Sequence, residues 1–292
     1  MIATHRNGYV PSANATVIVP RTGCAVLAQY TANYQVWGQG KPVVIVPGLA
    51  GGMELVAPLA ACLARRGFRA ITYQLRGEDD CFALRRSFDL EDLVTDLSEF
   101  LGALYLERPL LLGVSFGGGL ALHLAARQPN RLAGVVAQGA NVRFERSLLR
   151  QVAGHVLSHY PLPSDSPFVN QFYNLLFGGK PTSRALADFV TNLSWKTDQS
   201  VIAHRFQLAE SIDLVPLLPS LKLPLLLVNG ERDLLVPGQG LDEIARGTPH
   251  AVVKEIRGAG HLAFVTHAQA MADLVASFAS KKRLARIYTE IH

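Results

Sequence analysis

The stretch PLLLGVSFGG, residues 109–118, places one serine between glycines at the end of an apolar run. The run is typical of a buried strand, and a helical periodicity over 116–128 follows it. We therefore expect Ser115 to lie where a strand turns sharply into a helix. Such a turn brings backbones into close approach, which favours residues without a Cβ at Gly113 and Gly117. The N-terminus of that helix offers free N–H groups to a negatively charged oxygen.

Other apolar runs have the same character, being rich in Val, Ile and Leu without alternation with polar residues. Strands that are buried on both faces of a parallel sheet have this composition. Helical periodicities separate them, and Asp89 is a candidate N-cap for one of these helices. The alternation predicts an α/β fold with a mostly parallel central sheet and helices on both faces. The candidate strands cover 42–48, 69–74, 109–115, 132–139, 224–230 and 251–256, and the helices cover 53–66, 89–104, 116–128, 239–247 and 266–282.

Two segments depart from the alternation. Near the start, TVIVP and CAVLAQY flank the turn-forming residues Arg21-Thr22-Gly23, which predicts a hairpin. Residues 142–212 contain no convincing strand, and PLPSDSP and GGKPTS divide them into helix-like stretches. Because the strand pattern resumes afterwards, we interpret 142–212 as a helical insertion. The core domain is then formed by 1–141 together with 213–292.

The composition excludes several classes of protein. Of 292 residues, 49% are hydrophobic and 17% are charged, which suffices for a large core and argues against disorder. The net charge is +5, but no basic stripe with interleaved aromatic residues indicates nucleic-acid binding. We interpret the basic stretch KKRLAR at 281–286 as a solvated helix end. No apolar run is long enough for a membrane span, so stable membrane insertion is not expected.

The cysteines and the N-terminus favour a cytoplasmic location. The three cysteines, Cys24, Cys62 and Cys81, are scattered and odd in number, which is typical of free thiols in a reducing compartment. No pair of them has metal-ligand spacing, so we expect neither a metal nor another cofactor. The first residues lack the charged and apolar segments of a secretion signal. A monomer and a homodimer remain equally open.

A serine hydroxyl needs a base, and the base needs an orienting group. Among nine histidines, His261 in RGAGHLAF follows a candidate strand and lies in a glycine-rich loop; His250 is the second choice. For the acid, Asp233 follows the strand PLLLVNG, with Glu231 and Asp242 as rivals. The three residues follow different strands in the chain order Ser, Asp, His. This order is expected for a serine at a sharp strand-to-helix turn, called an elbow.

Stabilising an oxyanion takes a second N–H donor besides the one that follows the serine. The segment PVVIVPGLAGG supplies a strand and a glycine-rich loop before a helix. The N–H groups of Leu49 and Phe116 are therefore our candidates for the oxyanion hole. A phosphate-binding loop is the alternative interpretation. It is disfavoured because no Lys-Ser/Thr follows and the G-x-G-x-x-G spacing is missing.

These motifs together resemble the α/β-hydrolase superfamily, and the resemblance covers most of the chain. It is carried by PGLAGG, LRGEDD, GVSFGG, and GERDLLVP followed by GAGH, with FDLEDLVTDLSEFLGAL before the elbow. The resemblance implies Ser115 as nucleophile, Asp233 as acid and His261 as base. It implies Leu49 and Phe116 as oxyanion donors and makes 142–212 the variable cap. A serine nucleophile also argues against the dehalogenases and epoxide hydrolases of this fold, which use an aspartate.

The chain departs from the family pattern at two motifs. Pro47-Gly48 stands where many members have His-Gly, so other contacts must hold that loop. Gln74-Leu75-Arg76-Gly77 stands where many have Asp-x-Arg-Gly, which keeps the arginine and alters its neighbours. Neither departure removes a member of the implied catalytic set.

The aromatic residues of 142–212 indicate a hydrophobic substrate. We expect Phe172, Phe177 and Trp195 to line an apolar pocket above Ser115, while other aromatic residues hold the cap on the core. Arg205 and Lys196 are candidate partners for a carboxylate, although an exposed helix face explains them equally. We therefore expect the substrate to be a small hydrophobic ester, or a lactone or thioester.

Two alternatives to an ester hydrolase remain open at the level of the sequence. One is a related serine enzyme that cleaves a C–C bond or carries out perhydrolysis. The other is a ligand sensor that uses the pocket for binding and turns over very slowly.

Overall fold

The computed structural model describes residues 18–78, 84, 86–143, 148–236 and 238–280. Its strands are β1 (Arg21–Val26), β2 (Thr31–Trp37), β3 (Lys41–Val46), β4 (Phe68–Tyr73), β5 (Leu110–Val114), β6 (Gly134–Gln138), β7 (Leu225–Gly230) and β8 (Val252–Ile256). They form one sheet in the order β1-β2-β4-β3-β5-β6-β7-β8. β1, β2 and β4 pair antiparallel, and the neighbours from β4 to β8 run parallel. The mostly parallel sheet expected from the sequence is confirmed.

Helices cover both faces of this sheet. They are α1 (Gly52–Arg65), α2 (Leu90–Ala103), α3 (Phe116–Arg127), α4 (Leu148–His159), α5 (Pro167–Leu176), α6 (Arg184–Ser194), α7 (Gln199–Ser211), α8 (Gln239–Gly247), α9 (Ala263–Thr266) and α10 (Ala268–Ala279). Successive strand residues point to opposite faces. Val44 and Leu111 pack in one core cluster with α2, α3 and α8. Ile45 and Leu112 pack in a second cluster with α1 and α10.

The hairpin turn lies elsewhere than the sequence indicates. Arg21-Thr22-Gly23 is not a turn but the start of β1, and the chain reverses after Leu27, whose N–H donates to Tyr30 O at 2.9 Å. Gly23 pairs with Tyr34 of β2, and a Cβ at position 23 would collide with the Tyr34 ring. The glycine therefore makes room for an aromatic ring inside a strand. In the sequence, a glycine with this role looks the same as a glycine in a turn. Residues 16 and 17 of the expected hairpin lie outside the described residues.

The start of α2 has the cap that its sequence predicts. Asp89 Oδ1 accepts the Asp92 N–H at 2.8 Å, and Asp92 Oδ2 accepts the Asp89 N–H at 2.9 Å. This reciprocal pair is a capping box, which satisfies two N–H groups at the start of the helix. The capping box fixes the start of α2, and Asp96, whose contacts are described below, lies one turn after Asp92.

The segment between β6 and β7, residues 142–212, carries the four helices α4 to α7. Its two ends lie side by side, because the Leu214 N–H donates to Val142 O at 2.8 Å and the backbones of Arg143 and Asp213 pair in an isolated antiparallel β-bridge. The side chains of Ser166, Ser183 and Asp198 cap α5, α6 and α7. We call residues 142–212 the inserted segment.

The structure bears on the predicted free thiols and on membrane insertion. Cys24 and Cys62 are free thiols; Cys81 and the basic stretch 281–286 lie outside the described residues. Within the described ranges, every helix is too short or too polar to cross a membrane. No group of three or more His, Cys, Asp or Glu side chains in these ranges could hold a metal ion.

Candidate active site

Ser115 lies at a strained turn between β5 and α3. Its backbone has φ 52° and ψ −119°, a conformation that is unusual for a residue with a side chain. A Cβ at Gly117 would collide with the backbone oxygens of Val46 and Pro47, and a Cβ at Gly113 would collide with the Gly117 backbone. The two glycines therefore let the elbow approach its neighbours, as the sequence indicates.

Ser115, His261 and Asp233 are joined by hydrogen bonds. His261 Nε2 lies 2.8 Å from Ser115 Oγ, and His261 Nδ1 lies 2.7 Å from Asp233 Oδ2. His261 and Asp233 are 5% and 6% exposed, whereas the serine is half-buried and open to a cavity. A carboxylate at Nδ1 fixes the tautomer that donates there, which leaves the Nε2 lone pair facing the serine hydroxyl. This geometry suits removal of a proton from Ser115.

The loop after β7 holds the Asp233 carboxylate from its other side. Asp233 Oδ1 accepts the N–H groups of Leu235 at 3.0 Å and Val236 at 2.9 Å. The Asn229 side chain in turn donates to Val236 O at 2.9 Å. Both carboxylate oxygens therefore have hydrogen-bond partners, which fix the orientation of the Asp233 side chain.

The rival residues lie elsewhere. Glu231 is exposed and accepts the Gly258 N–H at 2.6 Å. Asp242 is exposed in the first turn of α8. His250 Nε2 bonds to Leu223 O at 2.9 Å, and both residues precede their strands, at the sheet edge opposite Ser115. The structure brings only Asp233 and His261 of these candidates to the serine.

Leu49 and Phe116 both border the cavity beside Ser115. Phe116 is the first residue of α3, so its N–H has no partner inside the helix. Leu49 lies in the loop between β3 and α1. Both residues therefore lie beside the serine, and their role as oxyanion donors stays a prediction.

A buried arginine holds the Leu49 loop, which sequence reasoning missed. Arg205 of α7 is fully buried rather than on an exposed helix face. Its Nη1 donates to Leu49 O at 3.1 Å and to Glu78 Oε1 at 2.5 Å, and its Nη2 donates to Arg76 O at 2.7 Å. Lys196, the other candidate for a substrate carboxylate, is exposed and paired with Glu54. Both expectations of a substrate partner are therefore corrected.

Arg76 itself is tied to the core. Its guanidinium donates to Asp96 of α2 through Nε at 2.8 Å and through Nη2 at 2.6 Å. The hydrogen bond to Asp96 raises the pKa of Arg76, and burial raises the pKa of Asp96 against the opposing effect of the arginine. The arginine kept in this altered motif thus fixes the backbone to which Arg205 bonds.

A cavity of about 360 Å³ opens above Ser115 and is lined mainly by apolar side chains. The inserted segment supplies much of this lining through α4, α5 and α7. Within the described residues, Glu210 is the only acid in the lining and no Lys or Arg takes part. The apolar lining consists of Leu49, Phe116, Val152, Ala153, Phe168, Phe172, Leu175, Phe206, Ala209, Ile212, Leu234, Leu235 and Val236.

Only one of the three residues expected to line the pocket does so. Phe172 borders the cavity, but Phe177 and Trp195 do not. Phe177 is 8% exposed in the core cluster around α1. The Trp195 ring stands beside Tyr173, and its Nε1 donates to Leu162 O at 3.0 Å. The expectation for Phe177 and Trp195 is therefore wrong, because Phe177 is part of the core cluster and Trp195 is packed against that cluster.

The periodicity of α5 distinguishes two apolar stripes, one on the cavity and one in the core. Phe168, Phe172 and Leu175 follow i, i+4 and i+7 and face the cavity. Val169 and Tyr173 follow the next stripe and pack in the core. A helix with two apolar stripes has two partners, and periodicity identifies the stripes without saying which partner each one meets.

A model of the alpha/beta hydrolase fold family matches residues 41–268, and the chain belongs to this family. A pimeloyl-[acyl-carrier protein] methyl ester esterase of Vibrio atlanticus is 28% identical over 262 residues, covering 86% of this chain and 99% of that protein. Among solved structures, a bromoperoxidase from Bacillus anthracis aligns with a TM-score of 0.81 at 20% identity, covering 89% of this chain and all of that one. A thermophilic esterase from Thermogutta terrifontis aligns at 0.75 and 21%, covering 90% and 98%. At these identities, the similarity to the two solved structures shows the fold alone.

Proposed function

We propose that this chain is a serine hydrolase that cleaves a carboxylic ester with a hydrophobic moiety through an acyl-enzyme on Ser115. The observation that carries the proposal is the hydrogen-bonded series Asp233, His261 and Ser115, which ends in an apolar cavity. The relationship to a methyl ester esterase supports it.

In the first half of the reaction, Ser115 Oγ attacks the ester carbonyl while His261 Nε2 takes the hydroxyl proton. Asp233 stabilises the resulting imidazolium through Nδ1–H. The carbonyl electrons pass to the oxygen, which receives hydrogen bonds from the N–H groups of Leu49 and Phe116. The C–O bond then breaks, and the leaving alcohol takes the proton from His261.

In the second half, a water molecule attacks the acyl-enzyme carbonyl. His261 now accepts a proton from the water and later returns one to Ser115 Oγ. The acid is released and the hydroxyl is restored. One base thus serves both halves without a cofactor.

The lining of the cavity indicates the substrate class. Its apolar side chains favour an alkyl or aryl group next to the ester, at about 0.8 kcal/mol per buried CH₂. Glu210 at the rim disfavours a second carboxylate on the substrate, because no cation among the described lining residues would pair with it. We therefore propose a neutral ester of short or medium chain length.

We further propose that the inserted segment acts as a cap on a core formed by 1–141 and 213–292. Its helices border the cavity. Arg232 of the core donates hydrogen bonds to Gly178 O of the segment through Nε at 3.1 Å and Nη2 at 2.8 Å. A cap in this position limits the access of bulk water to the cavity and can open to admit substrate.

The test is turnover of neutral p-nitrophenyl esters of increasing chain length by the wild-type protein and by Ser115→Ala. We expect ester hydrolysis by the wild type and a loss of roughly 10³-fold or more in kcat for the variant, since such residues act as a unit. A wild-type protein that reacts with a fluorophosphonate but turns over no ester would contradict the esterase and favour a sensor or a serine enzyme with different chemistry. Activity retained by Ser115→Ala would contradict the proposed nucleophile.

A further inference from the structure

Arg205 connects the inserted segment to the loop beside Ser115. It projects from α7 and is fully buried, yet its guanidinium donates to Leu49 O, to Arg76 O and to the Glu78 carboxylate. Two of these acceptors are backbone carbonyls of different core loops. A single side chain thus fixes the separation of the loops after β3 and β4.

A second hydrogen bond reaches the same loop from the inserted segment. The hydroxyl of Thr197, which is buried, accepts the Gly51 N–H at 3.1 Å. Gly51 has φ 79°, and the chain passes directly from it into α1. The peptide units that follow Leu49 and that lead into α1 are therefore held from outside the core.

The energetics of a buried ion pair indicate that Arg205 and Glu78 fix the geometry of the loops rather than increase the stability of the fold. A buried arginine and carboxylate lose their hydration, and well-packed apolar residues often stabilise a core as well or better. What apolar residues cannot supply is a planar fork that binds several oxygens in fixed directions. The feature that this pair adds to the fold is the orientation of the Leu49 loop.

We infer that Arg205, with Glu78 as its counter-ion, is a positioning residue for the oxyanion hole. By binding the Leu49 carbonyl, it restrains the loop so that the Leu49 N–H is directed at the oxygen that becomes negative. This inference rests on the proposed function. It also explains how the loop is held where the histidine common in the family is replaced by Pro47.

The first test is Arg205→Lys, which keeps a cation beside Glu78 but cannot bind both carbonyls. We expect kcat to fall about tenfold or more, with KM near the wild-type value and little change in Tm. Removal of a whole oxyanion donor typically costs 10² to 10³ in kcat, which bounds the effect of a loosened one. The rate of Ser115 phosphonylation by a fluorophosphonate should fall in parallel, because the phosphoryl oxygen occupies the same hole.

Thr197→Val is the second variant, since it removes the bond to Gly51, together with the 3.4 Å bond from the hydroxyl to Glu78 Oε1, and leaves the Arg205 side chain in place. It should lower kcat and the phosphonylation rate in the same direction but less. The matched control is Lys196→Met, which breaks the exposed ion pair of the inserted segment with Glu54 and leaves the Leu49 loop untouched. The control should behave as the wild type.

The outcomes separate this inference from the proposed function. If the wild type hydrolyses esters while Arg205→Lys and Thr197→Val match Lys196→Met in kcat and phosphonylation, the inference is wrong and the function stands. If the wild type hydrolyses no ester, the function is wrong, and phosphonylation rates still decide whether Arg205 positions the loop. Should Arg205→Lys not fold, the decision passes to Thr197→Val.

Discussion

Asp233 accepts three hydrogen bonds, and each of its two oxygens has a separate task. Oδ2 orients the imidazole of His261, and Oδ1 anchors the loop that presents the acid through Leu235 and Val236. Glu231, two residues earlier, carries the same type of group but faces solvent. From the sequence alone both were candidates, because a loop of this length can turn either side chain inward.

We predict that Asp233→Asn lowers kcat by roughly 10³- to 10⁴-fold, while the protein remains folded. The amide can neither stabilise the imidazolium nor hold the required tautomer. Glu231→Gln is the matched control, since its amide oxygen can still accept the Gly258 N–H. It should leave steady-state ester hydrolysis near the wild-type rate. A larger loss in Glu231→Gln than in Asp233→Asn would show that the acid is misassigned.

At the scale of elements, α5 and the residue that follows it divide between the lining of the cavity and the core. Phe172 lies on the stripe that borders the cavity and is 37% exposed. Phe177, just after the helix, is buried in the cluster around α1. One short helix thus serves two surfaces.

We predict opposite outcomes for alanine at these two positions. Phe172→Ala should reduce the preference for medium over short acyl esters, because the longer chain loses an apolar partner, with little change in stability. Phe177→Ala should lower the free energy of unfolding by about 3–5 kcal/mol, as large-to-small changes of buried aromatic residues do. The measurements are kcat/KM ratios across chain lengths and urea unfolding. A Phe177→Ala protein of normal stability with altered chain-length preference would contradict the division.

Elements differ in how far their sequence reveals them. β3 to β7 were recognisable because parallel strands buried on both faces are continuous apolar runs. β8, which is largely exposed, was predicted at 251–256 from its Val and Ile residues. β2 was missed, since TANYQVW is half-buried and mixes polar and apolar residues. Gly23 then attracted the turn that belongs after Leu27. An antiparallel strand such as β2, in which only Ala32 is fully buried, lacks the strong signal that double burial gives.

At the scale of the whole molecule, the residues that hold the candidate site come from distant parts of the chain. Ser115 and His261 are 146 positions apart, and Arg205 and Glu78 are 127 apart. The first pair could be predicted because glycine-rich loops after strands identify the carboxyl edge of a sheet. The second could not, because a charged residue on an amphipathic helix carries no local sign that it will be buried.

The behaviour of His123 in α3 makes stability depend on pH. Burial lowers its pKa, and its Nδ1 has no hydrogen-bond partner among the described residues. The unfolded chain therefore binds a proton more readily, so the stability contribution is present at neutral pH and is lost as pH falls below the ordinary histidine range. Burial lowers the pKa of His267 in the same sense.

We predict that the free energy of unfolding falls less steeply between pH 8 and pH 5 in His123→Gln than in the wild type. Urea unfolding at several pH values measures this slope. His267 should preserve part of the slope in the variant. An unchanged slope in His123→Gln would contradict the role of its burial.

The most direct test of the central proposal is to trap the acyl-enzyme. The wild-type protein is mixed with a p-nitrophenyl ester that it turns over, quenched with acid at early times and analysed by peptide mass spectrometry. We predict an increase in mass equal to the acyl group, located on Ser115 and absent from Ser115→Ala. Ester hydrolysis with no adduct at Ser115, or with an adduct on another residue, would contradict the proposal.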